Sequence, residues 1–233
     1  TVVWNGQWFK WENRNTNFLY GQPDGGPTHD APQNGYLNRS RVSLDYIPRD
    51  NNHPYRPAII FRMAEAYLSY AEALNESSER MSHKQEILDN LNKIRHRAGI
   101  AEYGTGTDEN GFTRIKINFS DQKEVRRLIH KERRVEFVGE GVRYHDLRRW
   151  KTAHYGIGNL NEQGENPDWG VNGPDYGMNY YGTEYTDQGD NAFFKRTKYM
   201  DRVYPRKFYW YPIHQSEIDK DPTLVQGPFW LGE

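Results

Sequence analysis

Residues 131–150, KERRVEFVGEGVRYHDLRRW, carry four acids, six lysines or arginines and a histidine around a Gly-x-Gly. Charge this dense suits a catalytic centre, a phosphate loop, a nucleic-acid grip or the ion-paired interior of a helical scaffold. Spacing separates these readings. Glu132 and Glu136 stand one helical turn apart, and Glu132 follows Leu128 and Ile129 onto an apolar face. A buried carboxylate needs a counter-charge, so both acids are expected to pair with arginines on the neighbouring helix. Arg133, Arg134, Arg143, Arg148 and Arg149 are available. The competing reading is a glycosidase whose two acids flank a bond at roughly 5–10 Å. Adjacent acids on one helix face, however, rarely converge on one small substrate.

Gly139-Glu140-Gly141 follows a helical pattern, not a strand, and lacks the third glycine and the Lys-Ser/Thr of a phosphate loop. It predicts a tight helix–helix turn in which glycine tolerates positive φ. Segment 123–151 holds ten Lys/Arg against five Asp/Glu, alternating with apolar residues, which favours internal partners over nucleic acid. His130, His145 and His154 lack H-x-x-x-H spacing, His145 and Asp146 point in different directions on a helix, and no G-x-S-x-G is present. No catalytic residue, metal ligand or cofactor is predicted.

Working outward, Asp121 and Glu124 can cap a third helix with Val125, Leu128, Ile129 and Val135 on its apolar face. Arg143 to Lys151 resumes as a fourth. Upstream, Ile60, Met63, Ala64, Tyr67, Leu68, Ala71 and Leu74 recur at helical spacing and predict a first helix over 59–76. Ser82 with Gln85 forms a capping-box pattern for a second, lined by Ile87, Leu91, Ile94 and Ala98 and stopped by Gly99. Residues 58–151 therefore read as two helical hairpins, with a Gly/Thr/Asp loop at 101–119 and a short strand near Arg114 to Asn118. Residues 1–57 are aromatic and turn-rich, with a strand near Arg41 to Tyr46. Residues 152–233 form a loop-rich segment that ends in an extended piece, a turn and a brief helical turn. The expected organisation is one mainly α domain over 1–233, with long loops rich in aromatics, Gly and Asn and a few short strands.

Composition narrows the function. Net charge is -1, too balanced for a general nucleic-acid binder. Aromatics reach 15%, which together with the balanced charge argues for a folded chain despite a mean hydropathy of -1.04. Cys is absent, excluding disulfides and thiol chemistry, and no apolar run approaches the ~18 residues of a membrane span. The opening TVVWNGQW carries no initiating Met, signal peptide or lipidation motif and reads as the start of an internal fragment.

In order, RMAEAYLSYAEALNE, LDNLNKIRHRAGI, IHKERRVEFVGEGVRYHDLRRWK and YPIHQSEIDKDPTL resemble the pattern of the SusD/RagB family, surface glycan-binding lipoproteins of Bacteroidetes polysaccharide-uptake systems. The likeness runs from about Arg56 to Trp230. It departs at His214, where the family usually shows a second proline or a small residue, and in the loop SSERMSHK, which lacks the usual glycine. The resemblance implies a scaffold of tetratricopeptide-like helical hairpins and the C-terminal portion of a longer protein. It further implies an outward-facing location on the outer membrane, with attachment through a lipid anchor on a Cys outside this chain. It implies oligosaccharide binding without cleavage and a SusC-like TonB-dependent transporter as partner. The alternatives are the Glu132/Glu136 glycosidase and a pure protein-interaction module of helical repeats.

The resemblance implies that ligand contacts lie in variable loops and not in the family motifs, so the site is read from composition. Sugars present a C–H face to aromatic rings and a hydroxyl rim to polar side chains. Two segments suit them: Trp4, Trp8, Trp11 and Asn13 in the opening stretch, and Trp169, Tyr176, Tyr180 and Tyr181 in the 165–185 loop. The tryptophan spacing of four and three also fits one face of a short helix. Tyr209 to Tyr211 are expected to serve packing.

Overall fold

The computed structural model describes residues 18–22, 25, 35–36, 55, 59–156 and 170–230, and the backbone of three strands within 2–15. Two compact units emerge, one spanning Ser40–Arg149 and the other Thr1–Arg39 with Trp150–Glu233. The first is helical: α1 (Met63–Glu76), α2 (Lys84–Ala98), α3 (Gln122–Glu136) and α4 (Val142–Arg149). Helix α1 packs against both α2 and α3. Ala64, Leu68, Ala71 and Leu74 of α1 meet Ile87, Leu91 and Ile94 of α2 and Val125 and Ile129 of α3 in one core. The small alanines let the backbones approach, and each fully buried Leu or Ile contributes about 1.5–3 kcal/mol.

The helix ends follow side-chain chemistry. Asp121 caps α3 by accepting from Lys123 N at 2.9 Å and Glu124 N at 3.2 Å. Gly139 and Gly141, at φ 79° and 81°, make the turn into α4. Three expectations need correction. Helix α1 begins at Met63, not at 59, because Arg62 is extended and its guanidinium is engaged by Glu136 and Glu140; Ile60 is left 96% exposed. The Ser82–Gln85 capping box does not form: Ser82 Oγ donates to Glu79 O at 2.8 Å, Gln85 donates to Asp89, and α2 starts after His83. Ala98 and Val135 are exposed. In α3 the positions beside the apolar stripe belong to buried His130, Glu132 and Arg133 instead.

The 101–119 loop contains isolated bridges, Tyr103 with Ile115 and Thr107 with Thr113, in place of the expected strand. Asp108 organises it, accepting from the backbone N–H groups of Glu102, Asn110 and Phe112.

In the second unit, β1 (Val2–Trp4), β2 (Gln7–Trp11) and β3 (Arg14–Asn15) form an antiparallel meander with Val3 opposite Trp8 and Trp11 opposite Arg14. The helical alternative for the three tryptophans is thereby overturned. An antiparallel ribbon of β4 (Gly173–Gly177) and β5 (Thr197–Arg202) lies in the stretch read from sequence as loop. The tail supplies a 3-10 turn, Arg206–Tyr209, and α5 (Gln215–Lys220). No helix among the described residues is long and apolar enough to cross a membrane. The Arg41 to Tyr46 strand lies outside the described residues.

Candidate functional site

The acids that suggest chemistry are all engaged. Glu132, 6% exposed, accepts from Arg95 Nη1 at 2.6 Å and from the Tyr103 hydroxyl at 2.7 Å. Burial, reinforced by the Glu132 carboxylate, pushes the Tyr103 hydroxyl well above its ordinary pKa, so it stays a donor. Glu136 is held by Arg62 and by Arg97 Nη2 at 2.6 Å. Arg62 also grips Glu140 at 2.7 and 2.9 Å, and the Glu140 bond, ahead of Glu136, keeps that guanidinium more firmly protonated than usual.

A second chain of charge links α1, α3 and α4. Arg133 holds Asp146 in a fork at 2.9 Å on both arms and donates to Ser69 Oγ at 3.1 Å. Arg149 reaches Asp146 at 2.9 Å and clasps both oxygens of Glu72. Burial opposes the Arg149 charge, but Glu72 and Asp146 raise its pKa. Glu72 and Asp146 border an open hollow of about 450 Å3, yet both are paired. The expected internal neutralisation is present with different partners: Glu132 and Glu136 turn to α2 and to Arg62, while the α4 charges serve Arg133 and Glu72.

The aromatic candidates divide. Tyr181, 67% exposed, packs its ring 5.3 Å from Tyr20 and 5.2 Å from half-buried Tyr180. Backbone bonds fix this platform: Tyr20 N donates to Gly182 O at 2.9 Å, and Gly182 N to Asn179 O at 2.9 Å. The Asn179 side chain, buried, accepts from Tyr181 N and donates to Asp190 O. Gly182 is required there, because a Cβ would lie 2.4 Å from Phe193 Cα. Tyr176 stands apart on β4, its ring face covered by the Arg196 guanidinium at 3.7 Å. Trp4, Trp8 and Trp11 lie on strands β1 and β2, and Asn13 and Trp169 fall outside the described residues. Tyr20 was missed from sequence; its only signal is the Leu19-Tyr20-Gly21 setting in a turn-rich stretch. Tyr209 does pack, its hydroxyl 2.9 Å from His154 Nδ1, whereas Tyr211 is 79% exposed.

A helical scaffold locked by internal ion pairs, with an aromatic surface on a separate unit, defines the class. The comparisons define the family. A model of the SusD family (SusD/RagB) matches residues 1–230, and the chain belongs to that family. The match includes the opening stretch that the sequence motifs left out. SusD-like proteins P25 and P38 of Formosa agariphila are each 32% identical, over 109 and 103 residues, covering 47% and 44% of this chain. The chain's match spans 18% and 19% of those relatives' lengths. The solved structure of a SusD-like protein from Bacteroides fragilis aligns at a TM-score of 0.47 and 27% identity, covering 74% of this chain and 26% of that one.

Proposed function

We propose that this chain is part of a non-catalytic oligosaccharide-binding protein that works at the outer face of the outer membrane and delivers glycan to a SusC-like TonB-dependent transporter. Membership of the SusD family supports the setting. The observation that carries the binding role is the Tyr20–Tyr180–Tyr181 platform, with Tyr181 exposed and its rings fixed by backbone hydrogen bonds. Exposed rings of this kind suit the C–H face of a sugar, and a site ordered beforehand loses little entropy on binding. Glu132 and Glu136 support a binding role over a hydrolytic one, since arginines occupy both. In this reading the helical unit is a tetratricopeptide-like scaffold, anchorage is by a lipid on a Cys outside this chain, and residues 1–233 act as one domain.

Calorimetric titration against a panel of oligosaccharides, with product analysis of the same samples, tests the proposal. Binding without product, weakened by Tyr20→Ala and Tyr181→Ala, is expected. Release of shortened sugars, or binding indifferent to both substitutions, would refute it.

A further inference from the structure

The outer face of α2 and the 101–119 loop enclose an open groove of about 1090 Å3 in the helical unit, separate from the tyrosine platform in sequence and composition. Its loop wall is built, not slack. Asn92 and Tyr103 exchange hydrogen bonds at 2.7 and 2.9 Å, and Arg114 clasps buried Glu102 at 2.8 Å. Tyr67, Leu88, Ile117 and Phe119 give the groove an apolar floor.

Around this floor stand Lys84, Lys93 and Lys116. Lys93 Nζ lies 4.5 Å from the Tyr67 ring centre and Lys84 Nζ 5.5 Å from that of Phe119. No carboxylate among the described residues pairs with any of the three, in a unit whose Arg95, Arg114, Arg133 and Arg149 are all matched to acids. Between the lysines, Gln85, Asp89, Thr105 and Glu109 offer hydrogen-bonding groups. A ligand that satisfies this lining carries negative charge for the ammonium groups, hydroxyls for the amide and carboxylates, and a C–H face for the floor. An acidic peptide supplies the charge but no row of hydroxyls to donate to Asp89 and Glu109.

We propose that this groove is a second binding site, specific for a saccharide bearing carboxylate or sulfate groups. The inference deepens the oligosaccharide-binding reading and rests on it.

The test is calorimetry on the 233-residue chain with oligogalacturonate, a sulfated galactan oligosaccharide, a neutral cello-oligosaccharide and oligoglutamate, each at low and high salt. Variants are the triple Lys84→Ala/Lys93→Ala/Lys116→Ala and, separately, Tyr20→Ala/Tyr181→Ala, with circular dichroism confirming the fold. At least one anionic saccharide should bind the parent chain, and the two anionic arms identify the charged group preferred. The lysine variant should lose affinity at least about tenfold, together with most of the salt dependence. The tyrosine variant should retain that salt-dependent component. Anionic-sugar binding unchanged by the lysine substitutions overturns the groove proposal while leaving the tyrosine platform standing. Equal binding of oligoglutamate overturns its specificity. A chain that binds no saccharide removes both readings.

Discussion

The helical unit and the loop-rich unit reach order by different means. In the helical unit, aliphatic residues such as Leu68, Ile87, Leu91 and Ile129 are fully buried, and forked arginine–carboxylate pairs fix how the helices meet. In the other unit the buried apolar residues among those described are Ala153, Ala192, Phe193 and Tyr204. Order there comes from rings against rings, including Tyr185, Phe193 and Phe194, and Tyr204, Phe208 and Tyr209. The difference teaches where recognition can sit. Charge in the helical core is consumed by the fold, whereas rings such as Tyr181 stabilise a loop with one face and leave another for a ligand.

Breaking the helical side should give the largest effect. Arg133→Ala removes both arms of the fork and the bond to Ser69, leaving buried Asp146 to Arg149, and is expected to cost about 3 kcal/mol, the lower end for breaking a buried ion pair, read from urea unfolding; a loss below about 1 kcal/mol would mean that the fork is ornamental. Next comes acid. Burial, with help from the Arg149 and Arg126 charges and against Asp146, pushes the His130 imidazole down from 6.5 to about 3. The unfolded chain therefore binds a proton that the folded chain refuses. This contribution is complete above pH 6.5 and is lost as pH falls towards about 3. Unfolding curves across that window should flatten in His130→Gln, and an unaltered slope would contradict the assignment. Asp121→Ala removes the α3 cap and should cost about 1 kcal/mol by the same measurement. On the loop side, Tyr181→Ala should change stability by less than about 0.5 kcal/mol. It should still weaken oligosaccharide binding about tenfold, about 1.4 kcal/mol; a large stability loss would move Tyr181 to the packing column.

The sequence reached the helical unit well because its signals are local and periodic. Leu68, Ala71, Ile87, Leu91, Val125 and Ile129 announce their burial at helical spacing, and Asp121 and Gly139 announce the ends. The identity of the ion-pair partners was not legible. Arg95 and Arg97 reach Glu132 and Glu136 across 37 and 39 residues, a pairing that only tertiary packing selects. Local competition misled elsewhere: Ser82 satisfies a carbonyl behind it before it can cap the helix ahead. In the opening stretch Asn5-Gly6 between Val/Trp-rich runs is the hairpin signal, and the four-and-three tryptophan spacing, which also fits a helix, obscures it. The departure at His214 proves to be functional in the fold, since its Nδ1 accepts from Ser216 N at the start of α5. At the candidate site, the composition of the 165–185 loop points to Tyr180 and Tyr181, but Tyr20 meets Tyr181 across 161 positions of chain (181 minus 20), beyond the reach of any local pattern.

Equilibrium urea unfolding of Glu132→Gln bears most directly on whether these acids belong to the fold. Glutamine keeps the shape but withdraws the charge that Arg95 and Tyr103 share. A loss of about 1.5–3 kcal/mol is predicted, the worth of hydrogen bonds to a charged group. Unchanged stability, accompanied by loss of a sugar-cleaving activity present in the parent chain, would place Glu132 at a reaction centre and contradict the account.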